Sequence, residues 1–431
     1  MKQSKLNTFA KKVKKVFSPK RLNLPGRTIG FLKRARKVTA HRLVTTLVSL
    51  FATRQVKTLA DIQRGFNALF DETVAYKPFH NQLAKDTFPD LMREAAEQAL
   101  THFVTNALGF ETTHAFARFK HLFLQDGSSF GIKKTLKKVF PGRFKKTAPA
   151  AVELHVTLDL LTESIEAATL TPDTDSERAA LPEPSLLRGS LILADAGYPS
   201  EAYLKAVDEA MGAFLMRYQA GINPLVIQAF DEHGMPLGHF KSRRLKKLRL
   251  SKKRVLDCDI ECAKGGRFRI IVSWNKKQKK YRFLITNLPR VDFSTAAILT
   301  TYRLRWQIEL LFKELKSSSN LHAFDTEKPG IVEGLIWAAV AASALKRYLA
   351  HAAQQLCHIA ISTQKVAKCL DWVLSTFIRE LINGTTKKIQ NAFDKMMLYL
   401  ARNAARSHPK RDRRSGRLQS GLQPILEPLK N

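Results

Sequence analysis

A series of apolar segments with the length of β-strands is the feature that most limits the folds open to this chain. From Phe116 onward, the segments FKHLFLQDGSSFG, VELHVTLDLLT, SIEAATL and SLLRGSLILADAGYPS have the composition of strands bounded by turns. The last leads into an amphipathic helix, EAYLKAVDEAM, and GAFLMRYQA then supplies another short strand. Strands that give way to alternating strand and helix predict an α/β fold with a mixed sheet.

Short β-like segments continue beyond this region. They include RVLDCDIECA, RFRIIVSWN and KKYRFLITNLP, which are separated by charged turns. We interpret residues 221–290 as a β-rich insertion within the α/β domain.

Helical periodicity flanks the α/β region on both sides. TLADIQRGFNALF begins the first helical region, and GIVEGLIWAAVAASALKRYLAHAA and CLDWVLSTFIRELI belong to the second. The C-terminal residues are basic and rich in Pro, Gly and Ser, so we expect them to be disordered. The predicted division is a basic arm with a helical domain in 1–110, an α/β domain with C-terminal helices in 111–400, and a tail in 401–431.

The charge of the chain predicts a polyanionic partner. The chain has 72 Lys and Arg against 37 Asp and Glu, a formal net charge of +35. Sixteen basic residues and no acidic one precede Asp61, which predicts an arm that binds phosphate groups. Nine of the fourteen residues from Lys241 to Arg254 are also basic, so this loop is expected to approach nucleic acid.

Two adjacent helical segments in the N-terminal region have the spacing of a helix-turn-helix. The second would present four polar side chains to DNA bases: Tyr76, Lys77, His80 and Asn81. Two amphipathic helices that simply pack together explain the same pattern, and the sequence leaves both interpretations open.

Membrane insertion and export are not expected. The longest apolar run, Gly334 to Leu345, is too short to cross a bilayer, and no secretory apolar core follows the basic N-terminus. Four cysteines in 431 residues are typical of a reducing compartment. Cys258 and Cys262 lack partners at zinc-binding spacing, so we interpret them as ordinary strand residues.

Two acidic residues follow apolar strand segments. Asp126 stands in FLQDGSS and Asp195 in LILADAGYPS. Carboxylates at strand ends lie where α/β sheets usually carry their chemistry. Taken singly, a turn-forming Asp before Gly explains Asp126 and a helix cap explains Asp195.

The segment TYRLRWQIELLFKELKSSSN, from Thr301 to Asn320, has the periodicity of one amphipathic helix. At about 100° per residue, one narrow face carries Tyr302, Arg305, Glu309 and Lys316. The adjoining arc is apolar and contains Ile308, Leu311, Phe312 and Leu315. A surface helix with Arg-Glu and Glu-Lys ion pairs would have the same pattern.

These motifs together resemble a known family. Asp126 with its Asp-Gly turn, Asp195 within ADAGY, and the spacing Tyr302-x2-Arg305-x3-Glu309-x6-Lys316 resemble bacterial insertion-sequence transposases of the DDE type, in the group with a Tyr-Arg-Glu-Lys signature. The resemblance covers about Phe116 to Leu321, including the insertion. It implies an RNase H-like mixed-sheet catalytic core, interrupted by the β-rich insertion.

The resemblance also implies roles for individual residues. Asp126, Asp195 and Glu309 would bind Mg²⁺ or Mn²⁺, as two ions, at the catalytic site. Tyr302, Arg305 and Lys316 would bind DNA phosphates beside the scissile bond. Trp274 would stack on an unpaired or flipped base, although a buried tryptophan within a strand is the simpler explanation.

The expected function is that of a DNA transposase. It would cleave double-stranded DNA at the terminal inverted repeats of its element and transfer the 3′-hydroxyl into target DNA, as a homodimer in the synaptic complex. We expect it in the bacterial cytoplasm with the nucleoid. Two alternatives remain: an RNase H-like structure-specific nuclease without strand transfer, and a DNA-binding regulator without catalysis.

Overall fold

The computed structural model describes residues 7–34, 36–53, 56–104, 115–219, 223–319 and 326–407. Within these residues, a mixed β-sheet is flanked by two groups of helices, one from each end of the chain.

Six helices form the N-terminal region. They are α1 (Thr8–Val16), α2 (Pro19–Thr28), α3 (Ala40–Phe51), α4 (Leu59–Phe70), α5 (Tyr76–Leu83) and α6 (Phe88–His102). Polar side chains cap the first four at Asn7, Ser18, Thr39 and Thr58.

The basic segment before Asp61, expected to be an arm, contains helices α1 to α3 among its described residues. Apolar residues spaced between the basic ones explain the difference, because Val13, Phe31 and Leu47 are buried in the main core. The basic side chains lie mostly on the outer faces of these helices.

Four strands and one helix begin the α/β region. The strands are β1 (Leu122–Gly131), β2 (Pro141–Phe144), β3 (Ala148–Asp159) and β4 (Ser164–Pro172). They are followed by β5 (Leu191–Ala194), α7 (Glu201–Glu209) and β6 (Ala213–Tyr218). β1 pairs antiparallel with β3 and parallel with β5, and β5 pairs parallel with β6, so the sheet is mixed as the sequence predicts.

The segment predicted to be an insertion supplies five further strands. They are β7 (Leu225–Phe230), β8 (Arg243–Arg244), β9 (Leu256–Glu261), β10 (Arg267–Asn275) and β11 (Lys280–Thr286). β11 pairs antiparallel with β6, so these strands extend the sheet that begins at β1. Cys258 is a buried residue of β9, and Cys262 is buried just after it.

Five helices complete the described chain. They are α8 (Thr295–Tyr302), α9 (Trp306–Ser319), α10 (Pro329–Cys357), α11 (Thr363–Asn383) and α12 (Thr386–Asn403). Most of the tail predicted in 401–431 lies outside the described residues, although α12 extends to Asn403.

Helix α10 lies at the centre of the helical part of the molecule. It packs against α3 and α6 from the N-terminal region and against α9, α11 and α12. Its length and apolar composition would allow it to cross a membrane, but 83% of its most apolar window is buried inside the protein. The residues of α10 therefore form much of the core shared by both ends of the chain.

Candidate active site

The register of the parallel strands places Asp126 beside Asp195. Gln125 of β1 is paired with Ala194 of β5; Asp126 is the next residue of β1, and Asp195 follows the last residue of β5. The sequence predicts that β1 ends in a turn at Asp126, but β1 continues to Gly131. It continues because β3 keeps pairing with it, with Asp126 opposite Val156, after β5 has ended.

The signature segment is not one helix. A 3₁₀ turn at Arg303–Arg305 separates α8, which ends at Tyr302, from α9, which carries Glu309. The apolar arc predicted for this segment is buried, as expected: Ile308, Leu311, Phe312 and Leu315. Its burial packs α9 against β1 and turns the polar side chains toward the strand ends.

Arg305 joins two of the three carboxylates. Its Nη1 donates to Oδ2 of Asp126 at 3.0 Å, and its Nη2 donates to Oε1 of Glu309 at 2.5 Å. The planar guanidinium has the geometry to bind two carboxylates at once. Arg305 therefore fixes the helix acid and the strand acid relative to each other.

Asp126 lies in an environment that opposes its negative charge. Burial raises the pKa of Asp126 to about 6 against the opposing effect of Arg305, and the nearby charges of Asp195 and Glu309 raise it further. The N–H of Gly127 donates to Oδ1 of Asp126 at 3.0 Å. Asp195 and Glu309 are thus both close enough to affect Asp126, and a perturbed acid of this kind is typical of a functional site.

Tyr302 and Arg217 contact the second aspartate. The hydroxyl of the buried Tyr302 donates to Oδ1 of Asp195 at 3.3 Å. Nη1 of Arg217 lies 3.7 Å from the same oxygen. Sequence analysis did not select Arg217, although a charged residue near the end of the apolar strand GAFLMRYQA is the same signal that identifies Asp195.

Lys316 and Trp274 lie apart from this group. Nζ of Lys316 lies 5.3 Å from the ring centroid of Phe130, near the end of β1, and burial lowers its pKa. Trp274 is half-buried in β10, where its ring meets Tyr281 edge-on and lies 4.8 Å from Nζ of Lys252. The contacts of Trp274 therefore lie within the insertion.

The donor set suits a hard divalent cation. The side chains of Asp126, Glu309 and Asp195 are 18%, 29% and 37% exposed, so solutes can reach them. Among the described residues, no three acidic, His or Cys side chains are arranged to hold a metal ion, and Arg305 occupies the oxygens of Asp126 and Glu309 that it binds. Carboxylate oxygens are nevertheless the ligands that Mg²⁺ and Mn²⁺ prefer.

A wide groove crosses the surface of the N-terminal helices. It has a volume of about 1080 Å³, and five of its lining residues are basic: Lys33, Arg34, Arg36, Lys37 and Lys85. Helices α4 and α5, joined by a short turn, form the pair predicted from the sequence. On α5, Tyr76, Lys77 and Asn81 are exposed and His80 is half-buried.

Comparison with known proteins places these features in a family. Residues 118–345 match the family model described as Transposase DDE domain. The transposase for insertion sequence element IS1151 of Clostridium perfringens is 22% identical over 353 residues, covering 73% of this chain and 74% of that protein. The transposase for insertion sequence element IS421 of Escherichia coli is 42% identical over 62 residues. That match covers 14% of this chain and 17% of the length of the Escherichia coli protein.

One solved structure has a related fold. The cryo-EM structure of the piggyBac transposase synaptic complex with hairpin DNA superposes with a TM-score of 0.50 at 11% identity. The superposition covers 94% of this chain and 89% of that one. It supports the mixed α/β architecture described above.

Proposed function

The chain belongs to the transposase DDE domain family, and from this premise we propose that it is a DNA transposase. It cuts double-stranded DNA at the terminal inverted repeats of its insertion sequence and transfers the freed 3′-hydroxyl into target DNA. The grouping of Asp126, within β1, Asp195, just after β5, and Glu309, on α9, carries this proposal. An RNase H-like core and membership of the Tyr-Arg-Glu-Lys group are part of the same proposal.

Asp126, Asp195 and Glu309 are proposed to hold Mg²⁺ or Mn²⁺, as two ions. When bound, the metal supplies Lewis-acid polarisation of the scissile phosphate and lowers the pKa of a bound water. The chemistry of the donor set and its access to solvent support this assignment.

The other signature residues orient these acids and bind the DNA backbone. Tyr302 holds the carboxylate of Asp195 through its hydroxyl, and Arg305 holds Asp126 and Glu309. Arg305 and Lys316 are proposed to bind phosphate oxygens beside the scissile bond, Arg305 through its planar fork and Lys316 as a point charge. Trp274, half-exposed beside Lys252, is proposed to stack on an unpaired base.

The basic N-terminal groove and α5 are proposed to recognise the element ends. The groove supplies cations for phosphates, and the exposed face of α5 supplies polar side chains for base edges. We further propose a homodimer in the synaptic complex, a location in the bacterial cytoplasm with the nucleoid, and no membrane association. The burial of α10 supports the last point.

The test is to incubate the purified protein with Mg²⁺ and DNA that flanks its own gene. Both nicked and joined products are expected, and the ends should be preferred over unrelated DNA of the same length. Nicked products without joined ones would identify a structure-specific nuclease. Binding without nicking would identify a catalytically inactive regulator.

A further inference from the structure

A cluster of charged side chains lies behind β1, on the face opposite Asp126. Arg143 of β2 is at its centre, with Nη2 donating to Oε2 of Glu153 at 2.5 Å and Nη1 donating to Oε1 of Glu177 at 2.9 Å. The backbone N–H of Arg143 also donates to Oδ2 of Asp173 at 2.7 Å. The side chains of Glu153 and Asp173 are buried, at 4% and 2% exposed, whereas Arg143 and Glu177 are partly exposed.

Two of these carboxylates lie directly against glycines that follow the proposed catalytic aspartates. A Cβ atom on Gly127 would stand 2.7 Å from Oε1 of Glu153. A Cβ atom on Gly197 would stand 2.0 Å from Oε2 of Glu177. Any side chain at either position would therefore overlap a carboxylate that Arg143 holds.

Both glycines are linked to the aspartates by short stretches of backbone. Gly127 is the residue after Asp126, and its N–H donates to the carboxylate of Asp126 at 3.0 Å. Gly197 lies in the turn after Asp195, in which the N–H of Tyr198 donates to the carbonyl of Asp195 at 3.3 Å. A shift of either glycine would therefore move the aspartate beside it.

We propose that Arg143 is a positioning residue, which holds Glu153 and Glu177 against Gly127 and Gly197 and so fixes Asp126 and Asp195 relative to each other from behind the sheet. The proposal rests on the catalytic role assigned above to the two aspartates. Arg143 itself contacts neither DNA nor metal in this account. One guanidinium suits the task because its fork reaches two carboxylates in a fixed plane.

The charge balance explains why the contact depends on Arg143. Burial raises the pKa of Glu153 to about 7, although Arg143 lowers it. Three other acids repel the charge of Glu153: Glu177, Asp173 and Asp126. Arg143 is the cation that offsets this repulsion, so removing it leaves the buried Glu153 carboxylate without a partner charge. Without the hydrogen bond from Arg143, nothing in the cluster holds the side chain of Glu153 in its present orientation, so we expect it to change position and the contact behind Gly127 to be lost.

The experiment compares wild type with Arg143→Met, Arg143→Lys and the control Arg118→Met. Arg118 forms a surface ion pair with Asp292, so its substitution removes a similar charge away from the cluster. Two quantities are measured: single-turnover cleavage of DNA that flanks the gene, and hydrogen/deuterium exchange of the segments 122–131 and 191–200. DNA affinity and melting temperature are recorded for each variant.

Arg143→Met is expected to slow cleavage about 10- to 100-fold, with DNA affinity unchanged, because the acids are displaced rather than removed. Exchange should become faster in both segments. Arg143→Lys should show an intermediate rate, because an ammonium group can hold one carboxylate but lacks the fork. Arg118→Met should behave like wild type in both measurements.

The proposal would be overturned if Arg143→Met cleaved DNA at the wild-type rate. It would also be overturned if hydrogen/deuterium exchange in either 122–131 or 191–200 of this variant matched that of wild type. If Arg143→Met does not fold, Glu177→Gln is measured instead, since it weakens the contact behind Gly197 and keeps the hydrogen bond between Arg143 and Glu153. Faster exchange confined to 191–200, with slower cleavage, is then the expected result, and no change overturns the proposal. Failure of the wild-type protein to cut any DNA would refute the proposed function, whereas the exchange data still decide the role of Arg143.

Discussion

At the scale of single residues, the molecule places a buried acid where its charge is costly. The pKa of Asp126 is raised to about 6 by burial and by the neighbouring acids, although Arg305 opposes the shift. Such a residue lowers stability in return for function. The sequence identifies Asp126 as a candidate, but its pKa depends on side chains 69 and 183 positions away.

The first prediction concerns the stability of Asp126→Asn. The pKa of Asp126 is raised to about 6 in the native state, whereas an aspartate in the unfolded chain has its ordinary pKa of about 3.9. Between these pH values the charged form becomes progressively destabilising, so removing the charge should raise the free energy of unfolding at pH 7 by about 2 to 3 kcal/mol. The increase should vanish near pH 3, where wild-type Asp126 is protonated. Urea denaturation at both pH values checks this, and a variant less stable than wild type at pH 7 would contradict it.

The second prediction compares Arg305, in the turn before α9, and Lys316, on α9, with Lys313, an exposed lysine of α9. Arg305→Ala and Lys316→Ala should each slow DNA cleavage about 100-fold, because a cation beside the reacting phosphate is lost. Lys313→Ala is the matched control, since Lys313 is exposed and its Nζ lies over the ring of Trp306. Circular dichroism should show intact helix in all three variants. If Arg305→Ala and Lys313→Ala cleave DNA at the same rate, Arg305 forms ion pairs that are structural and takes no part in cleavage.

At the scale of elements, the sequence predicts the strands and helices better than their junctions. The periodicity of Thr301–Asn320 correctly predicts the buried arc, but α8 and α9 are separated by a 3₁₀ turn. Periodicity over a few residues cannot distinguish an α-helical turn from a 3₁₀ turn, because their rotations per residue differ little. Likewise, Asp126 lies inside β1 because β3 is long enough to pair with β1 beyond this residue. The length of β3 cannot be deduced from the residues around Asp126.

The third prediction tests what holds α9 in place. Glu314 of α9 is buried, with its oxygens 3.6 Å from Nζ of Lys346 and 3.7 Å from Nη2 of Arg347, both on α10. Glu314→Gln should lower the free energy of unfolding by about 3 kcal/mol, because it removes the negative charge that compensates two buried cations. The double variant Glu314→Leu with Lys346→Met should recover part of this loss. Denaturant titration measures both, and a neutral effect of Glu314→Gln would show that the pair does not anchor α9.

At the scale of the whole molecule, the two ends of the chain share one core. Helices α3 and α6 pack against α10, so the N-terminal helices cover apolar surface of the C-terminal ones. The sequence shows that α10 is apolar on most of its faces but not which segments cover it, because such contacts join residues more than 200 positions apart. Point substitutions are therefore a cleaner test of DNA binding than deletion of the N-terminal region.

The fourth prediction concerns the salt dependence of DNA binding. With a net charge of +35, the affinity should fall steeply with salt, as each neutralised phosphate contributes close to one unit of slope in log K against log salt. Alanine at Lys33, Arg34 and Arg36 in the N-terminal groove should reduce the slope by about 2 to 3 units. Alanine at three exposed lysines of α12 should change it less: Lys387, Lys388 and Lys395. Equal changes in the two triple variants would mean that the groove is not a preferred DNA site.

The central claim is that the acid on α9 acts with the two strand acids in cutting DNA. Its most direct test is single-turnover nicking of labelled DNA from the element ends by Glu309→Gln. This variant keeps the size of the side chain while removing its charge, and the basic surfaces remain intact. Folding and end binding should match wild type, whereas nicking should fall by several orders of magnitude, because metal binding and charge stabilisation are lost together. Folded, DNA-bound Glu309→Gln protein that nicks at the wild-type rate would contradict the account.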